Sequence, residues 1–483
     1  MKSRWSWLGC LLLFIQGLDL NAQDIPVPSP EEQRPGGEAT QSRAVSRGVL
    51  QQFSATLPLD ARMDVTLGRS IFNKLWVSSP SSTTASDGLG PLFNARSCAG
   101  CHLQNGRGRT PDTHQNEDKA VSLLLRLSVP QPESMSPAHA EQYKTLGLIP
   151  EPVYGAQLQN FSVQGLPAEG QLKVSYEPLS VFFADGEEVI LQKPIYSIES
   201  LSYGELSTGV RMSARIAPPM HGLGLLEAIS EDDLLANEAS EAWLELGING
   251  HLNRVWDRQH QQTRIGRFGW KALHPSLHQQ NAAALFEDIG ISSTFFPEGF
   301  GACTPAQSQC LGMPDGNSPH LDGVEASNAM VDLLTAYTRH LAVVDRLESD
   351  DETHRQGRQL FYDVGCHACH RPSYQTASSA PEGLADLTIW PYTDLLLHDM
   401  GDGLADDHAE FDAKGREWKT PPLWGVGLAP EINGSRHLLH DGRARNVLEA
   451  ILWHGGEAQM VRDRFLALDK TSREALLLFI ESL

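Results

Sequence analysis

Cys98-Ala99-Gly100-Cys101-His102 recurs as Cys366-His367-Ala368-Cys369-His370, and no other feature constrains the chain as much as this doubled C-x-x-C-H. In that pattern each thiol can form a thioether with a haem vinyl group, and the adjacent histidine can ligate the iron from one face. C-x-x-C alone also serves zinc sites and redox-active disulfides. A zinc ribbon needs its halves close together, whereas Cys98 and Cys366 stand more than half of the 483 residues apart, and a redox disulfide explains neither histidine. The two copies therefore predict two covalently bound haem c groups, with His102 and His370 as proximal iron ligands.

The repetition extends upstream. Gly68-Arg-Ser-Ile-Phe72 precedes the first motif and Gly357-Arg-Gln-Leu-Phe361 the second, which predicts the same entry helix twice. The glycine lies nine residues before Cys366 but thirty before Cys98, so the first copy carries an insertion, with a Ser, Thr and Gly-rich surface loop from Ser78 to Gly90.

Length implies two or three domains, and 41% hydrophobic residues is ordinary for a globular protein. Basic Lys2 and Arg4, an apolar run from Leu8 to Ile15 and small or polar residues up to Ala22 have the layout of a secretory signal peptide. That run is too short to span a bilayer. The mature protein is thus expected to be exported without a membrane span, and periplasmic in a Gram-negative cell. Cys303 and Cys310, outside both motifs, are placed to form a disulfide in such a compartment. A net charge of -22 argues against nucleic acid as a partner and suits small or basic ones.

Along the chain, residues 1–22 read as the signal peptide and 23–57 as a flexible tether. An N-terminal haem domain over 58–347 and a C-terminal one over 348–483 follow. Within the first, Leu172–Tyr176, Val181–Phe183 and Val189–Leu191 alternate or are β-branched between turn residues, which predicts a small antiparallel β insertion at about 154–198. Helix is expected to return from Leu225 to Leu246. Met330, Leu333, Leu334, Tyr337, Leu341 and Val344 predict a long amphipathic helix, and Thr471-Ser-Arg-Glu474 a capping box opening the last one.

The segments around the motifs resemble the bacterial di-haem cytochrome c peroxidase and MauG superfamily, and within it the di-haem oxidoreductase branch sometimes labelled thiol oxidoreductases. They include Gly90–Cys98, Ala217–Glu227, Asn253–Asp257, Arg267–Lys271, Pro391–Gly401, Arg416–Gly425 and Leu439–Arg443. The resemblance implies a mainly α fold of two cytochrome c-like haem domains, in which the N-terminal haem meets hydrogen peroxide or another small oxidant. The C-terminal haem would pass electrons from a small donor protein, a cytochrome or cupredoxin. By the same resemblance Trp270 is the candidate bridge between haems, with a core tryptophan as the alternative. Gln279, Gln280 and Glu287 follow it where a peroxide pocket is expected; a carboxylate there could move a proton and an amide orient the peroxide.

For the second axial ligand of the C-terminal haem, the peroxidases use a methionine where this chain has Leu428. His398, Met400 and His440 remain as candidates. Asp399, Asp402, Asp406 and Asp407 are clustered oxygen donors, and calcium in related peroxidases makes them a candidate calcium site, although they match no EF-hand spacing. Two other activities stay open: MauG-like oxidation of a protein or organic substrate by high-valent iron, and plain electron transfer.

Overall fold

The computed structural model describes residues 29–483 apart from 43, 84–85, 112–121 and 348–350. The signal-peptide stretch 1–22 lies outside them. Four helices build a duplicated scaffold, in which α1 (Arg62–Phe72) packs on α2 (Asn328–Arg339), and α3 (Glu352–Val364) on α4 (Lys470–Ser482). Val65, Gly68 and Phe72 are buried on α1, and Gly357, Phe361 and Val364 on α3; steps of three and four place each set on one helix face. A Cβ added to Gly68 would lie 1.9 Å from the Leu333 carbonyl oxygen and 2.8 Å from Tyr337 Cβ. At Gly357 the same atom would lie 2.1 Å from the Ala475 carbonyl oxygen and 2.8 Å from Phe479 Cβ. Each pair of helices can cross this closely only over a glycine.

Two helix limits differ from the sequence expectation. The helix expected to continue to Val344 stops at Arg339; beyond it Leu341 bridges to Phe53 and Val344 to Gln41. The apolar periodicity continues there while the backbone turns extended to hold the N-terminal segment. Asp469, not Thr471, caps α4, accepting hydrogen bonds from the backbone N–H and hydroxyl of Ser472. Aspartate is the stronger cap, so the box at Thr471 falls inside the helix.

The N-terminal segment is itself packed from residue 30 onward, where a flexible tether was expected. Glu32 is buried, takes the Tyr392 hydroxyl and pairs with Arg346 and Arg358 at 3.4 and 3.3 Å. Val49 and Leu50 are buried with Leu428 and Ile432. Its proline, glycine and charge content reads as a tether only while the arginines that neutralise Glu32 are out of view.

Strands β1 (Leu123–Ser128), β2 (Gln171–Phe182), β3 (Glu188–Glu199) and β4 (Arg211–Ile216) follow in order. β1 pairs antiparallel with β4, Leu123 opposite Ile216, and β2 with β3 as a ribbon, Gln171 opposite Glu199. The three short runs expected at 172–191 are therefore one continuous hairpin. Although it belongs to the N-terminal half by sequence, it packs on the C-terminal half. Arg473 of α4 grips Asp185 and Glu187 in its turn at 2.9 and 2.7 Å, and the Tyr196 hydroxyl donates to Asp441 at 2.6 Å.

Helix after β4 comes in pieces, Leu223–Glu227, Glu231–Glu238 and Leu244–Leu246, rather than one run, because Ser230 caps a new start. Cys303 and Cys310 form the expected disulfide. Among the described residues, sheets are two-stranded and antiparallel, and no helix is long and apolar enough to cross a membrane.

Candidate functional site

Each C-x-x-C-H lies in a cavity. Ser97 caps the Cys98–Cys101 turn by accepting from Gly100 N–H, and α3 ends on Gly365, whose φ of 104° turns the chain into Cys366. His102 donates Nδ1–H to the Pro218 carbonyl at 2.8 Å, and His370 to that of Tyr392 at 3.0 Å. Both contacts leave Nε2 as the ligating nitrogen. Burial pushes both imidazoles down to about 4, so they are neutral and can donate a lone pair. Burial pushes the Cys98 and Cys366 thiols up to about 12, and those of Cys101 and Cys369 also rise. A zinc site or redox disulfide needs the opposite, a thiolate-favouring environment. Thiols held neutral in an apolar cavity beside a carbonyl-fixed imidazole fit a covalently attached haem.

The N-terminal cavity is lined by apolar Phe72, Ile216, Met220, Leu223 and Leu334 and by polar Arg126, His274, Gln280 and Glu287. Arg126 pairs with Glu287 at 2.6 Å, although 161 residues separate them. Glu287 is thus held in a part-buried ion pair rather than on a solvated helix face. Gln280 Oε1 and His274 Nδ1 are buried without a hydrogen-bond partner among the described residues. Burial lowers His274 to about 4 and raises Asp288 to about 6 while Gln157 donates to it at 2.8 Å. Gln279 does not line this cavity; its amide is spent on the backbone of Arg258 and Trp256.

The C-terminal cavity is walled by Phe361, Leu404, Trp418, Val447, Ile451 and Ile480. All three candidate axial ligands line it, with different freedom. His398 has both ring nitrogens engaged: Nε2 meets Asp394 at 2.8 Å and Nδ1 meets Glu457 at 2.7 Å. Burial opposes its charge, but Asp394 raises it well above the usual imidazole range, which favours the charged form over a free lone pair. His440 stacks flat on Trp418, centroids 3.5 Å apart at 7°. Met400 lines the cavity from strand Leu397–Asp399 onward. His454, which sequence reading missed, also lines it; the signal was its place after Val447, Ala450 and Ile451 at helical spacing.

Trp270 lines both cavities. Its indole N–H donates to the Ile216 carbonyl at 2.8 Å, and the Arg107 guanidinium lies 5.2 Å from its ring centroid on the C-terminal side. The four aspartates read as a calcium site do not converge. Asp399 and Asp402 meet Arg416 at 3.1 and 2.9 Å, and Asp406 meets Lys271 at 3.0 Å. The negative charge of these three is met by side-chain cations.

A family model described as "Di-haem oxidoreductase, putative peroxidase" matches residues 34–483. No curated protein matches the chain. Among solved structures, a chain of xenon-pressurised hydrazine synthase from Kuenenia stuttgartiensis is 14% identical, with 53% of this chain and 88% of that one covered, at a TM-score of 0.23. Likeness at that level carries no argument about fold or activity.

Proposed function

Because the chain belongs to the di-haem oxidoreductase family over residues 34–483, we propose that it reduces hydrogen peroxide at the Cys98, Cys101 and His102 cavity, with electrons entering through the Cys366, Cys369 and His370 cavity. Membership makes it a haem oxidoreductase. Haem c held in each cavity would supply the iron that breaks the O–O bond and relays electrons. The observation that carries the reading is Trp270, one aromatic ring facing both cavities.

This chain's own residues supply orientation and proton handling. Gln280, with its buried acceptor unused, can take a hydrogen bond from peroxide. Glu287 can carry a proton from the proximal to the distal peroxide oxygen, and its pair with Arg126 fixes the carboxylate in place. Overall, peroxide, two electrons and two protons yield two waters. The electrons come from a small donor protein, a cytochrome or cupredoxin; the charge of -22 favours a basic face on it.

The repeated glycine crossing supports two cytochrome c-like haem domains meeting near residue 348, and the layout of residues 1–22 supports export to the periplasm. The test is peroxide turnover by the mature two-haem protein with a reduced cytochrome or cupredoxin, together with its spectra. Turnover and a peroxide-sensitive high-spin haem are expected. Two closed, low-spin haems indifferent to peroxide in every redox state would overturn the reading in favour of plain electron transfer. A long-lived oxidised state with little turnover would instead favour oxidation of another substrate.

A further inference from the structure

We infer that His454 is the second axial ligand of the haem held by Cys366, Cys369 and His370, which makes that centre bis-histidine. The inference rests on the two-haem reading above.

His102 and His370 give Nδ1–H to a backbone carbonyl, and His454 gives its own to Ala450 at 2.7 Å; His251 does so to Leu252 as well, but its Nε2 is taken by Glu417 at 3.0 Å. The carbonyl contact fixes the tautomer with the lone pair on Nε2, as in metal-ligating histidines generally. In His454 that nitrogen has no hydrogen-bond partner among the described residues, while the side chain lines the cavity. The residue follows a helix that lines the same cavity: Val447, Ala450 and Ile451 face it from helix Val447–Leu452, and His454 continues their spacing just past the Trp453 cap.

The surroundings hold it there. Gly456, at φ 54°, lies where a Cβ would be 2.2 Å from the Asp399 carbonyl oxygen, so the turn after His454 packs directly on the strand that carries His398. Glu457 from the same turn takes His398 Nδ1 at 2.7 Å and Asp399 N–H at 3.1 Å. One short segment, His454-Gly-Gly-Glu457, thus occupies His398 and presents a histidine in its place. His440 is turned another way, flat on Trp418 with Asp441 at 3.7 Å.

The test uses the full-length protein matured with haem, with pyridine haemochrome to count haems and ferric EPR with near-infrared magnetic circular dichroism to identify axial ligands. Two haems per chain are expected, with a bis-imidazole charge-transfer band and no thioether band. His454→Gly should turn one haem high-spin, and added imidazole should restore the low-spin signal, a rescue that a merely structural role would not allow. Met400→Leu should change neither band. A thioether band in the unmodified protein that Met400→Leu removes would overturn the inference, as would a His454→Gly protein with unchanged spectra. Should His454→Gly fail to fold, His440→Ala decides: retention of the bis-imidazole band supports His454 and its loss overturns it. Fewer than two haems would defeat the di-haem reading itself, whereas two haems with another ligand set would defeat only this inference.

Discussion

Arg126 on β1 and Glu287 at the far end of the peroxide-pocket segment meet at 2.6 Å in a part-buried ion pair. General acid–base groups contribute about 10²- to 10⁴-fold, so Glu287→Gln is expected to lower peroxide turnover by about that factor while both haems remain attached. Arg126→Gln should show a smaller loss, because it orients the carboxylate while Glu287 itself carries the proton. Steady-state kinetics beside a haem count would check both. Full activity in Glu287→Gln would remove it from the proton path.

Trp270→Phe keeps an aromatic ring between the cavities and loses the hydrogen bond to Ile216. We expect the two haem spectra to survive and turnover to fall by about tenfold, roughly 1.4 kcal/mol of barrier. Rapid-mixing measurement of electron transfer between the haems checks it; an unchanged rate would leave Trp270 as a packing residue.

Loss of thiols should remove haem one site at a time. Cys98→Ala with Cys101→Ala, or Cys366→Ala with Cys369→Ala, should each halve the stain of a haem-stained denaturing gel, and the four together should abolish it. Staining that survives all four would rule out thioether attachment.

The glycine crossings should be intolerant. Gly68→Ala and Gly357→Ala each place a methyl group onto a backbone carbonyl, and overpacking of this kind costs about 1–3 kcal/mol or more. A lowered melting temperature is expected in both, larger than for an alanine substitution at exposed Ser70.

Glu169 is buried, accepts from Gln159 N–H and Gln307, and is pushed by burial from 4.5 up to about 8. A raised carboxyl pKa means the folded state holds a proton that the unfolded chain releases between those two values. Its contribution to stability is therefore complete below about 4.5 and lost as pH rises to about 8. Glu169→Gln should flatten that part of the stability profile, which denaturant melts across the pH range would show.

Much of this was legible in the sequence for one physical reason: the informative patterns are local. A thioether motif is five adjacent residues, and a helix face is read from steps of three and four. The two haem motifs, the repeated glycine entry helix, the β insertion and the cysteine pair are features of that kind. Even the stripe leading to His454 was there, although only the cavity shows which of its positions matters.

Tertiary structure decided what depends on partners far away in the chain. Asp394 and Glu457 take both nitrogens of His398, one of the three candidate ligands. Arg346 and Arg358 turn Glu32 from a tether charge into a buried clamp, and Arg473 draws the β ribbon onto the other half of the molecule. An imidazole can be a ligand, an imidazolium or a stacked ring. Which one it becomes depends on the charges and carbonyls folded against it, and local sequence patterns do not encode those contacts.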